Sequence, residues 1–197
     1  MKLQCIPIDY DYFDYQGKNF VKIIGRDEKG KKICLIDSCD VYFWAILKNN
    51  LSAKKIEELR KKIQKIRLDE KGRQSEVTKT ELHTKKFLGE DVQAIKIFIT
   101  NHKDAHAIAD KIDSKDVEKR REFDIPYVTR YILERKVKPL IWYDVEGEIL
   151  NSSTEFGGID TKLEVDMCLK VEKIKESSHQ PSFKPKILSY DIETDEF

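Results

Sequence analysis

Close to its C-terminal end the chain carries Asp191-Ile192-Glu193. Strand side chains alternate, so Asp191 and Glu193 share one face of an extended segment while Tyr190 and Ile192 take the other. Two carboxylates a pleat apart are hard oxygen ligands suited to Mg²⁺ or Mn²⁺, ions that activate water and stabilise a leaving oxygen in phosphodiester hydrolysis. A solvated strand end shows the same spacing, so D-x-E alone does not separate the two. His102 and His106 stand four apart, but Lys103 occupies the place where a metalloprotease helix needs Glu, and no third ligand offers itself. No glycine-rich phosphate cradle occurs, and Ser, Cys and His are scattered without a nucleophile context. Nucleotide-cradling and acyl-transfer enzymes therefore have no support.

The chain around these residues has 197 positions, 37% of them charged against the roughly 25% of an ordinary globular chain. With 40% hydrophobic residues it still holds enough apolar material for a real core. The longest apolar run, Val41 to Leu47, is far short of the ~20 residues of a membrane-spanning helix. The first residues, MKLQCIPIDYDYFDY, place acids and tyrosines where a secretory signal has its apolar stretch, which predicts a cytoplasmic protein with no membrane partner. Cys5, Cys34, Cys39 and Cys168 match neither a disulfide framework nor the usual zinc spacing and read as reduced thiols. The net charge of +1 is unevenly spread. Between Lys48 and Arg73, ten basic residues face four acids, and the last nine residues hold four acids and no base. Such asymmetry suits a phosphate-facing segment in one place and a metal-binding segment in another.

The elements that must position these groups are legible in outline. Lys2 to Ile8, Phe20 to Ile24 and Lys32 to Ile36, separated by Gln16-Gly17 and Asp27 to Gly30, predict a meander. Ser52 can cap a basic helix reaching Arg67, with Ile56, Leu59, Ile63 and Ile66 on one face and Glu57 and Glu58 four residues ahead of Lys61 and Lys62. Its exposed basic face reads first as solvated surface and second as a phosphate contact. Val77 to Leu82 and Val92 to Ile99 predict a hairpin around Phe87-Leu88-Gly89. Helices are expected over Lys103 to Ile112 and after Pro126, and the alternation from Leu163 to Lys170 predicts a half-buried strand with Glu164, Asp166, Cys168 and Lys170 outward. Asn151 to Gly158 reads as a polar loop and Glu176 to Pro185 as a linker.

The segment KILSYDIET (186–194) resembles the first exonuclease motif of family B DNA polymerases. Three upstream segments resemble archaeal members in the same order: VYFWAILKNN (41–50), KKFLGEDVQAIKIFI (85–99) and EFDIPYVTRYIL (122–133). The resemblance implies an α+β fold. In it, residues 1–185 form the mixed β-barrel and sheet of the polymerase N-terminal, template-binding domain. Residues 186–197 supply the first strand of a ribonuclease-H-like 3′–5′ exonuclease domain, incomplete here. Asp191 and Glu193 would be catalytic metal ligands for Mg²⁺ or Mn²⁺ only with the rest of that domain, so this chain alone is expected to be inactive with no metal bound. Its implied partners are single-stranded template DNA and the remaining polymerase polypeptide or domains. The resemblance further implies a template-scanning pocket for deaminated bases such as uracil, walled by Tyr12, Val41, Tyr42, His102, Ala105, Tyr127 and Arg130. The family commonly has proline where Val41 and His102 stand and valine where Ala105 stands, and rejecting thymine by its methyl group depends on close packing. General single-strand binding by stacking and basic side chains is less demanding. Two other readings stay open at this point: a free-standing single-strand-binding module without a catalytic role, and a metal-dependent nuclease in its own right.

Overall fold

A computed structural model describes residues 1–70, 72–113, 115–150, 155–184 and 189. The meander forms as expected from β1 (Lys2–Tyr15), β2 (Lys18–Arg26) and β3 (Lys32–Asp37). Gln16 and Gly17, both at positive φ, make the two-residue turn that matches the twist of its flanking strands. β1 is longer than its apolar half suggests, because it pairs with β2 along its length and with β9 (Tyr143–Ile149) at its start. β10 (Met167–Glu176) lies between β9 and β3, parallel to the latter, and closes a five-stranded barrel in the order β1-β2-β3-β10-β9.

The second layer is a five-stranded antiparallel sheet, ordered β5-β6-β7-β4-β8. It contains β4 (Val41–Leu47), β5 (Arg67–Glu70), β6 (Arg73–Phe87), β7 (Glu90–Ile99) and β8 (Val117–Arg121). Between β4 and β5 runs α1 (Ala53–Gln64), and between β7 and β8 a short 3-10 turn (His102–Asp104) leads into α2 (Ala105–Asp110). Leaving aside the short β5, this is the β-α-β-β-α-β arrangement of a split βαβ unit. Both helices cover one face, where Leu59, Ile63, Ile108 and Ala109 meet Phe43, Ala45, Ile95 and Ile97 in one apolar cluster. That cluster continues into the barrel interior through Val21, Ile23, Leu35, Val145 and Leu169. α3 (Tyr127–Arg135) contributes Tyr127 and Tyr131 to it.

Several boundaries differ from the sequence reading. α1 keeps its Ser52 cap, whose hydroxyl accepts the Lys55 N–H, but it stops at Gln64, because Arg67 begins β5. Glu57 pairs with Arg60 at 3.1 Å rather than with Lys61. The expected helix from Lys103 splits into the 3-10 turn and six residues of α2. The alternating strand starts at Met167, not Leu163, since α4 (Ile159–Lys162) precedes it. Cys168, expected outside, is buried with Cys34, Ile36, Leu150 and Phe156 in a second small core, because both faces of that strand are covered. The supposed linker after Glu176 is anchored: the Trp142 indole N–H donates to the Pro181 carbonyl at 2.8 Å, and Gln180 bonds both backbone groups of Trp142. All four cysteines are free. Among the described residues no helix is long and apolar enough to cross a membrane. The expected exonuclease strand, with Asp191 and Glu193, lies outside the described residues.

Candidate nucleic-acid interface

Tyr12 sits on β1, His102 in the 3-10 turn and Tyr127 at the start of α3, three elements far apart in sequence. The fold brings their rings together. Tyr12 meets His102 edge-on with centroids 5.2 Å apart, Tyr127 lies 6.0 Å from Tyr12, and His102 stacks on Tyr127 at 6.0 Å.

A buried polar latch holds this cluster. Asn19, 4% exposed, accepts the His102 backbone N–H at 2.7 Å and donates to Asp14 at 2.6 Å. Asn101, fully buried, donates to the Gly17 carbonyl at 3.0 Å and caps the 3-10 turn by accepting the Lys103 N–H. Lys103 closes the circuit with a 2.6 Å ion pair to Asp14. On the other side of the turn, Arg73 grips Asp104 with two nitrogens, at 2.8 and 2.5 Å, and so ties the beginning of β6 to α2. Tyr127 donates its hydroxyl proton to the Asn19 carbonyl at 2.9 Å and accepts the Cys39 N–H at 3.1 Å. α3 is fixed further along by Tyr131 and Arg135, both bonded to Asp37.

Burial is the largest influence on the local ionisations. It depresses the His102 imidazole below its usual range and pushes the Cys39 thiol up to about 12, and it raises the Tyr127 phenol as well. The His102 imidazole and the Tyr127 phenol are therefore neutral near pH 7, and His102 Nε2 is a buried nitrogen with no hydrogen-bond partner among the described residues. Burial works to raise the Asp14 carboxyl, but Lys103, Asn101 and Asn19 outweigh it and hold the carboxyl below its ordinary value.

The remaining expected residues divide. Arg130, one turn beyond Tyr127 on α3, lays its guanidinium 4.0 Å from the Tyr42 ring centroid while bonding the Glu122 carbonyl at 2.8 Å. Tyr42 donates its hydroxyl to Glu134. Val41 and Ala105 are core residues, 8% and 4% exposed. Val41 also reaches the wall of a cleft of about 500 Å³ between barrel and sheet, together with Asn19, Ser38, Cys39, Ile99 and Arg135. The seven residues thus form a three-ring cluster, an arginine–tyrosine stack and two packing contributors. Sequence reading missed Asp14, Asn19 and Asn101. Only Asn101 leaves a trace, as an Asx cap directly after a strand. Among the described residues no group of three or more His, Cys, Asp or Glu side chains is placed to hold a metal ion.

Residues 118–197 match the family model described as DNA polymerase family B, exonuclease domain. The DNA polymerase of Desulfurococcus sp. (strain Tok) is 30% identical over 159 residues, covering 76% of this chain and 20% of that protein. The Thermococcus kodakarensis DNA polymerase is 32% identical over 134 residues, 68% of this chain and 8% of that protein. The family B DNA polymerase from the archaeon Pyrobaculum calidifontis superposes with a TM-score of 0.66 at 19% identity, over 91% of this chain and 21% of that one. The fold is thus that of the front of a DNA polymerase. The chain belongs to the family B DNA polymerases and corresponds to the N-terminal portion of their archaeal members. It spans a fifth or less of the length of these relatives.

Proposed function

We propose that this chain grips single-stranded template DNA for a family B polymerase in DNA replication and supplies the first carboxylates of its 3′–5′ exonuclease. The observation that carries the template reading is the convergence of Tyr12, His102 and Tyr127, with Lys103 5.6 Å from the Tyr12 ring centroid. Tyr12 and His102 are half-buried with Tyr127 backing them from the core, and rings beside a fixed cation suit stacking on bases and pairing with phosphate, which is how single strands are held without sequence preference. Residues 1–185 form the template-binding unit in this reading, and 186–197 open the exonuclease domain.

Asp191 and Glu193 are the metal ligands in this proposal, their oxygen donors matching Mg²⁺ or Mn²⁺. When bound, those ions activate water and offset charge on the leaving oxygen. Two carboxylates make a poor two-metal site, so the nuclease activity belongs to the completed polymerase, whose other domains provide the missing ligands. The free-standing binding module is less favoured, because the relatives named above are all DNA polymerases.

Uracil selection is a narrower claim than single-strand binding. Val41 and Ala105 pack into the core, and the three rings pack on one another. General binding is the reading these contacts support best. The test is fluorescence anisotropy of labelled single strands identical except for one uracil or thymine, with wild type and Tyr12→Ala. Binding weakened by Tyr12→Ala supports the template reading, and equal affinity for the two strands removes uracil sensing. Failure of both strands to bind overturns the template reading itself.

A further inference from the structure

The helices cover one face of the sheet, and the other face is armed differently. On the central strands Tyr42 pairs with Phe98, and Trp44 is flanked by Lys96 on β7 and Arg121 on β8. Lys79 lies opposite Phe98, and Lys85 opposite Val92, on β6. Trp44 and Phe98 are only 8% and 9% exposed, yet neither belongs to an apolar core cluster. Lysines lie over them instead: Lys96 is 3.7 Å from the Tyr42 centroid and 4.9 Å from that of Phe98, and Lys85 is 4.5 Å from Trp44.

Two depressions lie across this face, about 360 Å³ beside Lys79, Lys96 and Phe98 and about 250 Å³ beside Trp44, Lys85 and Arg121. The strand alternation gives the face five cations, Lys79, Lys85, Lys96, Lys119 and Arg121. Its strand acids are Glu81 and Glu90, and Asp40 and Glu122 line the two depressions from beyond the strands; Glu81 is already engaged by Lys79 and His83, and Glu122 by Arg130.

We propose that this open face is a stacking platform for single-stranded DNA, separate from the three-ring cluster. It has the arrangement by which four-stranded sheets stack bases on rings of their two central strands. A base stacked on Trp44 or Phe98 displaces a lysine stem, and the freed ammonium moves to the adjoining phosphate. Stacking on a ring is comparable to the cation contact it replaces, and the freed ammonium's pairing with phosphate tips the balance. From Phe98 to Val92 the face runs about 20 Å at the strand rise, room for two or three bases. The excess of cations selects a polyanion, and membership of a DNA polymerase family selects DNA. The proposal rests on the template reading above and extends the strand's path across the sheet.

The test uses the whole chain and fluorescein-labelled oligothymidylate. Trp44 is one of two tryptophans, and the other, Trp142, is buried under Pro181, so intrinsic quenching locates the strand. The platform predicts quenching that disappears in Trp44→Phe and persists in Tyr12→Ala. A combined Lys85→Ala, Lys119→Ala and Arg121→Ala variant, altered only at exposed positions, should bind about tenfold more weakly, with the log–log salt slope smaller by about 2. Binding that depends on Tyr12 while Trp44 stays silent and the triple variant binds normally overturns the platform and leaves the template reading intact. No binding overturns both. Tighter binding of oligouridylate than of oligothymidylate overturns the choice of DNA.

Discussion

Asn19→Ala removes the centre of the latch that brings His102 to Tyr12. The side chain makes three hydrogen bonds: to Asp14 at 2.6 Å, to Asn101 at 3.2 Å and from the His102 N–H at 2.7 Å. Losing a bond to a charged acceptor costs about 1.5–3 kcal/mol, and stranding a buried N–H about 1–3 kcal/mol. Asp14 keeps Lys103 and Asn101, which offsets part of the first cost, so we expect a total of about 2–4 kcal/mol. At about 2–4 °C per kcal/mol for a chain of this size, Tm should fall by roughly 4–16 °C. The assay is urea unfolding followed by far-UV dichroism, with Gln93→Ala as a control that removes an exposed amide bond to Thr84. That control should stay within about 0.5 kcal/mol of wild type. The variant should also bind single strands more weakly and show a higher Asp14 pKa by NMR. A depressed carboxyl pKa stabilises the fold above the unfolded value and loses that contribution as pH falls through the folded one, so the variant should show a shallower acid-side loss. An Asn19→Ala midpoint equal to that of Gln93→Ala would refute the latch.

Other outcomes follow from the same contacts. His102, depressed chiefly by burial, stays neutral in the fold while the unfolded chain takes a proton. Stability should therefore fall as pH drops below 6.5 and level off below the folded pKa, and His102→Gln should flatten that slope; a pKa of 6.5 or above by NMR contradicts this. Gly147→Ala would put a Cβ 2.3 Å from the Lys170 carbonyl oxygen, forcing β9 from β10 at a cost of about 1–3 kcal/mol or more, read as a lower urea midpoint. Trp142→Phe loses the bond to Pro181, so chymotrypsin should cut at Phe183 faster than in wild type; an unchanged rate would show that Gln180 anchors the segment alone.

The apolar strands, the Ser52 cap and the hairpin at Leu88-Gly89 were legible because each depends on neighbours in sequence. What escaped depends on distant partners. Cys168 looks outward by alternation, and it is buried only because Cys34 beside it on β3, with Ile36, Leu150 and Phe156, covers the second face of its strand. Phe156 lies in a segment that reads as a polar loop, yet it packs against Phe13, Tyr15 and Phe20. The linker shows no apolar periodicity, and its anchorage is visible only when Trp142 is placed beneath it. At the candidate site the resemblance named Tyr12, His102 and Tyr127, which do meet. It gave no sign that Val41 and Ala105 serve packing, nor that asparagines from barrel and sheet lock the rings in place.

The central claim is that this chain holds single-stranded DNA through fixed cations and rings. Anisotropy of a labelled single strand titrated with the chain, repeated from low to physiological salt, addresses it directly. The account predicts binding whose log affinity falls linearly with log salt, by about 0.7 for each phosphate contacted. No anisotropy change at low salt, or an affinity indifferent to salt, would contradict it.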